Sequence, residues 1–313
     1  MLLSLLLASL FTFVELNCEN LFDCEHDSLK EDTEYLPDSY HRWNHYKYWQ
    51  KLNHIGQEII ACGGDSATWQ LPDMVALCEV ENDSVMRDLT KRSLLRRAGY
   101  EYVMTDGPDI RGIDVALLYH PMSFQLIRSH AIRVHPLKGM RPTRDLLYAS
   151  GLLIDGDTLH VIVVHAPSRY GGERSTRAYR LAVADRIGAT VDSIRHCDPH
   201  AHILMAGDFN DSAQSAMLRA IIDHDMHDLS AEASGSHGAR GTYRYRGQWE
   251  RIDHVLCSSS MIAALRQCTI GDFPFLLEED PKYGGVRPLR TFYGARYLNG
   301  YSDHLPLIAR FSF

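Results

Sequence analysis

The chain has 313 residues, a formal net charge of −8 and a hydrophobic content of 45%. This apolar content is ample for a packed core. The net charge argues against a protein that binds duplex DNA through a basic face, because phosphate neutralisation supplies most of such affinity. No CxxC pair and no HExxH motif occurs in the sequence, which argues against zinc sites of those two types.

The amino-terminal segment is apolar over its first ten residues, and no Lys or Arg precedes Lys30. It is too short for a membrane span, which needs about 20 apolar residues. Two interpretations stay open: residues 1–12 form a signal-like segment, or they extend the first strand. The compartment therefore stays unassigned. Because no linker or repeat follows, residues 13–313 are predicted to form one domain, and we expect a monomer.

Helical and strand patterns alternate along the chain. In the first helical segment, Leu52, Ile55 and Ile59 recur at helical spacing. The predicted helices cover residues 46–61, 84–98, 175–194 and 213–222. The predicted strands lie near residues 12–16, 72–79, 113–120, 159–165, 201–207, 253–257 and 305–313. This alternation predicts an α/β protein.

Several of the predicted strands begin or end at a polar side chain. The apolar run 203–206 leads into Gly207, which allows a close approach of backbone or ligand, and then into Asp208 and Asn210. The residues in such positions are Asn17, Glu79, His165, Asp208, Asn210, Asp253, Asp303 and His304. Each motif alone is also compatible with a surface turn. Together they predict an active site along one edge of packed sheets.

These residues occur in the order and rough spacing of the endonuclease/exonuclease/phosphatase family, which the chain resembles over nearly its whole length. That family includes pancreatic deoxyribonuclease, abasic-site endonucleases, sphingomyelinases and inositol-polyphosphate 5-phosphatases. Residues 15–23, 111–119 and 167–172 resemble a bacterial branch whose members are often exported. The resemblance implies a four-layer α/β/β/α sandwich, in which two mixed sheets pack face to face and the helices lie outside.

The resemblance also implies a divalent cation. Glu79 is the expected ligand, with Asn17 and Asp303 near it, and ligation by oxygen alone indicates Mg²⁺ or Mn²⁺. Asp208 and Asn210 would position the attacking water or a second cation.

Two histidine–carboxylate pairs are expected from the similarity to pancreatic deoxyribonuclease. His304 would be the general base or would orient the phosphate, with Asp253 holding its ring. His165 would act opposite as general acid or phosphate ligand. Asp114 is a candidate partner for His165, or else it is a strand-end carboxylate capped by backbone groups.

Arginines near these motifs are candidate contacts for substrate phosphate, which a guanidinium binds well through its planar fork. The candidates are Arg111, Arg169 and Arg290. Glu19 stands where some family members have a metal-binding acid, but it could also be a surface residue, so it is left out of the ligand set.

Three functions remain open at this point. The first is a metal-dependent phosphodiesterase or endonuclease that acts on DNA or RNA. The second is a phosphatase or phosphodiesterase of a lipid headgroup, inositol phosphate or other small ester. The third is a binding module without catalysis, which is disfavoured because every core motif residue is intact.

Overall fold

The computed structural model describes residues 10–64 and 69–313, so the first nine residues of the signal-like segment lie outside it. Its strands are β1 (Leu10–Leu21), β2 (Met74–Val80), β3 (Glu101–Met104), β4 (Asp114–Tyr119), β5 (Phe124–Ile132), β6 (Leu146–Leu153), β7 (Thr158–His165), β8 (His202–Asp208), β9 (Met226–Asp228), β10 (Tyr243–Tyr245), β11 (Gln248–Glu250), β12 (Asp253–Ser258), β13 (Leu265–Ile270), β14 (Leu277–Glu279), β15 (Val286–Pro288), β16 (Phe292–Tyr293), β17 (Arg296–Tyr297) and β18 (Leu307–Ser312). Its α-helices are α1 (His45–Ala61), α2 (Asp83–Lys91), α3 (Glu173–Cys197) and α4 (Ala216–Ile222).

Twelve of these strands form two six-stranded mixed sheets. The first sheet has the order β13-β18-β1-β2-β4-β3, and the second has the order β5-β6-β7-β8-β12-β9. One adjacent pair in each sheet is parallel, β1 with β2 and β7 with β8, and the other pairs are antiparallel. This architecture is the predicted α/β sandwich.

The core lies in three layers, because the central strands are buried on both faces. Along β1, Phe11 and Phe13 face the second sheet, whereas Val14 and Leu16 face the helices, as the two-residue period of a strand requires. Helices α1 and α2 cover the outer face of the first sheet, and α3 and α4 cover that of the second. Strands covered on both sides are expected to be nearly continuously apolar.

The predicted helices are present, with one difference. The segment predicted as one helix over 84–98 is α2 followed by a separate 3₁₀ turn, Leu94–Arg97. Ser93 separates them, because its hydroxyl donates to the carbonyl of Leu89 and accepts from the amide of Leu95 at 3.1 Å. Such side-chain bonds compete with the helical ladder. No helix in the described ranges is long and apolar enough to cross a membrane.

The outer strands were not predicted from the sequence. Strand β5 is mostly exposed along its length and carries mixed polarity, so neither hydrophobic pattern applies to it. The first strand is longer than predicted, because it covers Leu10–Leu21 instead of residues 12–16.

The edge of the sandwich where the polar residues gather is produced by strand direction. The carboxyl ends of β7 and β8 coincide because these strands are parallel, so His165 pairs with Asp208. The amino end of β12 reaches the same edge because it runs antiparallel to β8, so Asp253 lies opposite Asp208. Residues far apart in the sequence therefore meet at one place.

Gly207 is required where β8 approaches β7. Its φ is +146°, and a Cβ atom there would lie 1.8 Å from the carbonyl oxygen of Val164. We predict that Gly207→Ala lowers the free energy of unfolding in urea by more than about 2 kcal/mol. Gly156→Ala is the matched control, because its φ of +94° imposes backbone strain but its Cβ would meet nothing within 4 Å. Equal losses in the two variants would contradict the steric argument.

Candidate active site

Asp208 lies at the centre of the polar edge and is almost completely buried. Its Oδ1 accepts the backbone N–H of Asn210 at 2.8 Å, and its Oδ2 accepts the side-chain amide of Asn17 at 3.2 Å. Asn210 adopts a φ of +52° and donates its own amide to the carbonyl of Ala166 at 3.1 Å. The predicted Asn17, Asp208 and Asn210 are therefore in one hydrogen-bonded group.

His304 and Asp253 form the expected pair. The Nδ1 atom of His304 lies 2.8 Å from Oδ2 and 3.0 Å from Oδ1 of Asp253. The Thr242 hydroxyl donates to the same carboxylate, and the Ser302 hydroxyl accepts the His304 N–H at 3.1 Å. Ser302 also donates to the carbonyl of Asn17 at 2.6 Å, which fixes the histidine loop to β1.

The protonation states of this group follow from burial and charge. Burial opposes a charge on His304, but Asp253, Asp303 and Asp208 outweigh it and raise the pKa of His304 well above its usual value. Burial, together with the charge of Asp253, raises the pKa of Asp208 to about 7. His304 is therefore an imidazolium at neutral pH, and Asp208 is poised to exchange a proton there.

His165 faces this group from the end of β7. Its Nε2 atom lies 3.7 Å from Oδ2 of Asp208 and 3.8 Å from Oε1 of Glu79. Its Nδ1 atom is buried and has no hydrogen-bond partner among the described residues. Burial, followed by the positive charges of Arg144 and Arg111, lowers the pKa of His165 well below its usual value. The ring is therefore neutral at neutral pH.

The predicted pairing of Asp114 with His165 is wrong. The Oδ1 atom of Asp114 accepts the Thr105 hydroxyl and, at 2.9 Å, the backbone N–H of Gly107. In the described ranges, no hydrogen bond or ion pair joins Asp114 to His165. The carboxylate holds the turn before β4, so the alternative of a capped strand-end acid applies, and the catalytic prediction for Asp114 loses its structural basis.

Glu79 is the penultimate residue of β2 and has a left-handed backbone conformation, with a φ of +62°. Its Oε2 atom accepts the backbone N–H of Asn20 at 2.9 Å. Its Oε1 atom faces His165 and lies 4.0 Å from Nη2 of Arg111, and no hydrogen bond reaches it in the described part of the chain. Non-glycine residues in this conformation are uncommon and cluster at functional sites.

Asp303 lies on the His304 side of the edge. Its Oδ2 atom accepts Nη2 of Arg290 at 2.8 Å, and its Oδ1 atom is 4.0 Å from Nε2 of His304. The contacts of the three predicted ligands therefore differ: Asn17 is bonded to Asp208, Asp303 to Arg290, and Glu79 to the backbone of Asn20.

Glu19 was not included among the predicted site residues, but it is buried and organises one wall. It accepts Nε of Arg290 at 3.2 Å and the backbone N–H of Thr291 at 2.6 Å. The buried Lys51 lies 3.9 Å from the same carboxylate and donates to the Thr291 hydroxyl at 2.7 Å. The interpretation of Glu19 as a surface residue is therefore wrong.

The three predicted phosphate-binding arginines differ in availability. Arg111 is 46% exposed and lies near Glu79. Arg290 is engaged by Glu19 and Asp303, and the Arg169 guanidinium donates to Glu250. Only Arg111 of these three therefore presents a side chain without a hydrogen-bonded acid.

Two further residues act on the site and were missed from the sequence. The Thr242 hydroxyl donates a hydrogen bond to Asp253. The Arg144 guanidinium donates to the carbonyl of Ala166 at 2.9 Å and to the Asp109 carboxylate at 3.1 Å. Arg144 is buried and lowers the pKa of His165. Neither lies at the end of an apolar run that leads into a polar motif, so the pattern that identified the other residues does not single them out.

The donor atoms at this edge suit a hard divalent cation. Carboxylate and amide oxygens are the ligands that Mg²⁺ prefers, and the Glu79 Oε1 atom has no competing hydrogen bond in the described ranges. Asp208, Asp253 and His304 also offer ligand atoms within 4.8 Å of one another. In that second group the protonated His304 ring cannot bind a metal through Nδ1, which is bonded to Asp253.

A sandwich of two mixed sheets with acids and two histidines gathered at one edge defines the class of this protein. The sequence matches the Endonuclease/Exonuclease/phosphatase family over residues 12–312. Because the match covers nearly the whole chain, the protein belongs to this family, whose members hydrolyse phosphate esters. None of the curated proteins matches the chain.

Solved structures with similar folds come from several organisms. The Bacteroides thetaiotaomicron mannosyl-6-phosphatase is 16% identical with a TM-score of 0.62, over 97% of this chain and 100% of that one. Truncated Caenorhabditis elegans TDP2 is 16% identical with a TM-score of 0.60, over 97% and 98%. The human Nocturnin catalytic domain with bound sulfate is 17% identical with a TM-score of 0.59, over 97% and 94%. At these identities the likeness shows the fold alone.

The charge of His304 depends on Asp253. We predict that Asp253→Asn lowers the pKa of His304, measured by NMR titration of the ring, because the largest favourable charge is removed. The pKa of His304 in the folded state lies above its unfolded value of about 6.5, so the pair contributes its full stabilisation of the fold below about pH 6.5. This contribution disappears as pH rises through the folded-state pKa. Asp192→Asn, at the exposed His224 pair, is the control and should leave His304 unchanged.

Proposed function

We propose that the protein is a divalent-metal-dependent hydrolase of phosphate ester bonds. The observation that carries the proposal is the convergence, at one buried edge, of Asp208 with the His304–Asp253 pair on one side and Glu79 with His165 on the other. Hydrolysis of a phosphate ester needs an activated water and positive charge around the phosphoryl oxygens. This edge supplies a base and a fixed imidazolium within one group.

The protonation states assign the roles. Asp208 is the general base, because its pKa of about 7 allows it to remove a proton from water near neutral pH. His304 donates from Nε2 to a phosphoryl oxygen, since its ring is already protonated and oriented by Asp253. His165 is neutral, so it acts as a hydrogen-bonding ligand of the phosphate rather than as a general acid. The water oxygen attacks phosphorus as Asp208 takes its proton, and the ester P–O bond breaks. The leaving alkoxide takes a proton from bulk water, to which Asp208 returns the one it removed.

The cation belongs on the Glu79 side of this group. Glu79 is the principal ligand, with Asn17 and Asp303 as the other expected ones, and Mg²⁺ or Mn²⁺ matches a set of oxygen donors. When bound, the cation supplies positive charge to the phosphoryl oxygens and the leaving group. Asn210 keeps the Asp208 carboxylate oriented through its backbone N–H.

The charge distribution favours a small phosphate ester as the substrate. Arg169 and Arg290 are each hydrogen-bonded to acids, and the chain carries a net charge of −8, so little positive charge is left to hold a long polyanion. DNA or RNA is the second candidate, because Arg174 and Arg177 are exposed at the start of α3, near the His165 strand. Any nucleic-acid affinity should then fall steeply with salt.

We predict that Glu79→Gln reduces kcat for a phosphodiester such as bis-p-nitrophenyl phosphate by at least about 100-fold, because one charged ligand of the cation is lost. EDTA should abolish the wild-type activity, and Mg²⁺ should restore it. Glu81→Gln is the matched control, because the Glu81 carboxylate accepts the backbone N–H of Asp23 at 2.7 Å and does not face His165. Full activity in excess EDTA would refute the metal dependence.

Arg111 should contact the substrate phosphate. We predict that Arg111→Ala raises KM roughly tenfold or more for every ester that is hydrolysed, as expected for loss of a charge-assisted hydrogen bond. Arg169→Ala should have a smaller effect, because Glu250 already holds that guanidinium. The measurement is a kinetic screen over p-nitrophenyl phosphate, bis-p-nitrophenyl phosphate, plasmid DNA and single-stranded RNA with Mg²⁺. An Arg169 effect that exceeds the Arg111 effect would reverse this assignment.

A further inference from the structure

A cavity of 240 Å³ opens beside the catalytic edge. The proposed hydrolysis mechanism uses none of its aromatic side chains. We call it the ring pocket and define it by Tyr35, His41, Trp43 and Phe292, with Glu19 and Arg290 at its inner end. Its volume is below the roughly 300–1,000 Å³ of clefts that take drug-sized ligands. It therefore has room for one small ring system rather than for a chain of residues or nucleotides.

The aromatic walls are held in fixed positions by packing. Tyr35 stacks on Phe22 with ring centroids 4.4 Å apart and an angle of 6°, and His41 stacks on Phe292 at 4.3 Å and 28°. Trp43 is buried, and its indole N–H donates to the carbonyl of Phe22 at 3.0 Å. The pocket is thus formed before any ligand enters, which reduces the entropic cost of binding.

Two hydrogen-bonded links connect the ring pocket to the catalytic residues. Asn20 lines the pocket, and its backbone N–H donates to Glu79 at 2.9 Å. Arg290 lines it as well and donates to Asp303 at 2.8 Å. A phosphate bound beside Glu79 and Asp303 would therefore lie near the pocket.

The acid and the hydroxyl group at the inner end of the pocket are already engaged. The Oε1 atom of Glu19 accepts a hydrogen bond from Nε of Arg290, and its Oε2 atom accepts one from the backbone N–H of Thr291. The Thr291 hydroxyl accepts a hydrogen bond from Lys51. Among the described residues, His41 Nδ1 and the Tyr35 hydroxyl have no hydrogen-bond partner. A sugar ring buried there would need a partner for each of several hydroxyl groups. A flat aromatic ring needs few polar partners and gains from stacking.

We propose that the ring pocket binds a flat aromatic ring carried by the substrate, near the phosphate that is hydrolysed. The preferred substrates are then aryl phosphates or single nucleotides, whose base would enter the pocket while the ribose stays outside it. This inference rests on the proposed hydrolysis of phosphate esters and adds the chemical class of the group attached to phosphorus. Stacking of one base on protein aromatic groups is typically worth about 1–3 kcal/mol, or roughly 5- to 150-fold in affinity.

The test compares adenosine 5′-monophosphate, glucose 6-phosphate and glycerol 3-phosphate. Binding to the metal-free protein is measured by calorimetry, and hydrolysis is measured separately with Mg²⁺. We expect adenosine 5′-monophosphate to bind at least about tenfold more tightly than the other two. Phe292→Leu, which retains an apolar side chain without the ring, should remove most of this preference.

Tyr293→Leu is the matched control, because Tyr293 is adjacent on the same hairpin, is 60% exposed and does not line the pocket. Since Phe292 also packs in the core, Tyr35→Leu is the second test variant, and thermal unfolding checks that each variant is folded. Loss of the preference in Phe292→Leu and Tyr35→Leu, but not in Tyr293→Leu, supports the proposal.

Other outcomes separate the two proposals. Equal affinity for the three phosphates, or tighter binding of glucose 6-phosphate, overturns the ring pocket even if all three esters are hydrolysed. Preferential binding of adenosine 5′-monophosphate without hydrolysis of any ester supports the ring pocket and contradicts the hydrolase proposal.

Discussion

The site depends on how two buried carboxylates are accommodated directly opposite each other. Asp208 and Asp253 are paired across the antiparallel strands β8 and β12, and both are nearly inaccessible to water. Like charges in such positions destabilise a sheet, and a low dielectric strengthens their repulsion. The His304 imidazolium offsets it by bonding to Asp253 at 2.8 Å. Because His304 lies three residues before β18 of the first sheet, this ion pair also joins the two sheets at the edge where the site forms.

The same edge holds its two histidines in opposite protonation states. His304 is surrounded by acids, which raise its pKa, whereas His165 is buried near Arg144 and Arg111, which lower its pKa. Groups of one chemical type whose pKa values are separated by their surroundings take different roles in catalysis. The carboxylate of Asp208 lies between the two rings with a pKa of about 7, so one buried edge offers a hydrogen-bond donor, a charged group and a base.

The proposed recognition of the substrate's ring depends mainly on segments outside the two six-stranded sheets. The ring pocket is formed by the loop between β1 and α1 and by the β16 segment, and Glu19 ties these two parts together through Arg290 and Thr291. One fold commonly carries many different sites, because loops vary while the scaffold that positions the chemistry is retained.

The sequence by itself determined the α/β class and the positions of Glu79, His165 and Asp208 at or next to strand ends, because an apolar strand followed by an abrupt change to polar residues is a local pattern. It did not determine edge strands such as β5, whose exposed and mixed sequence has no clear period. The partners of each charged group were decided only by the tertiary structure. Arg169 bonds to Glu250, 81 residues away, and Asp114 bonds to a nearby turn instead of to a histidine. Burial and strand register select these partners, and neither is encoded within a few residues of the group that is bound.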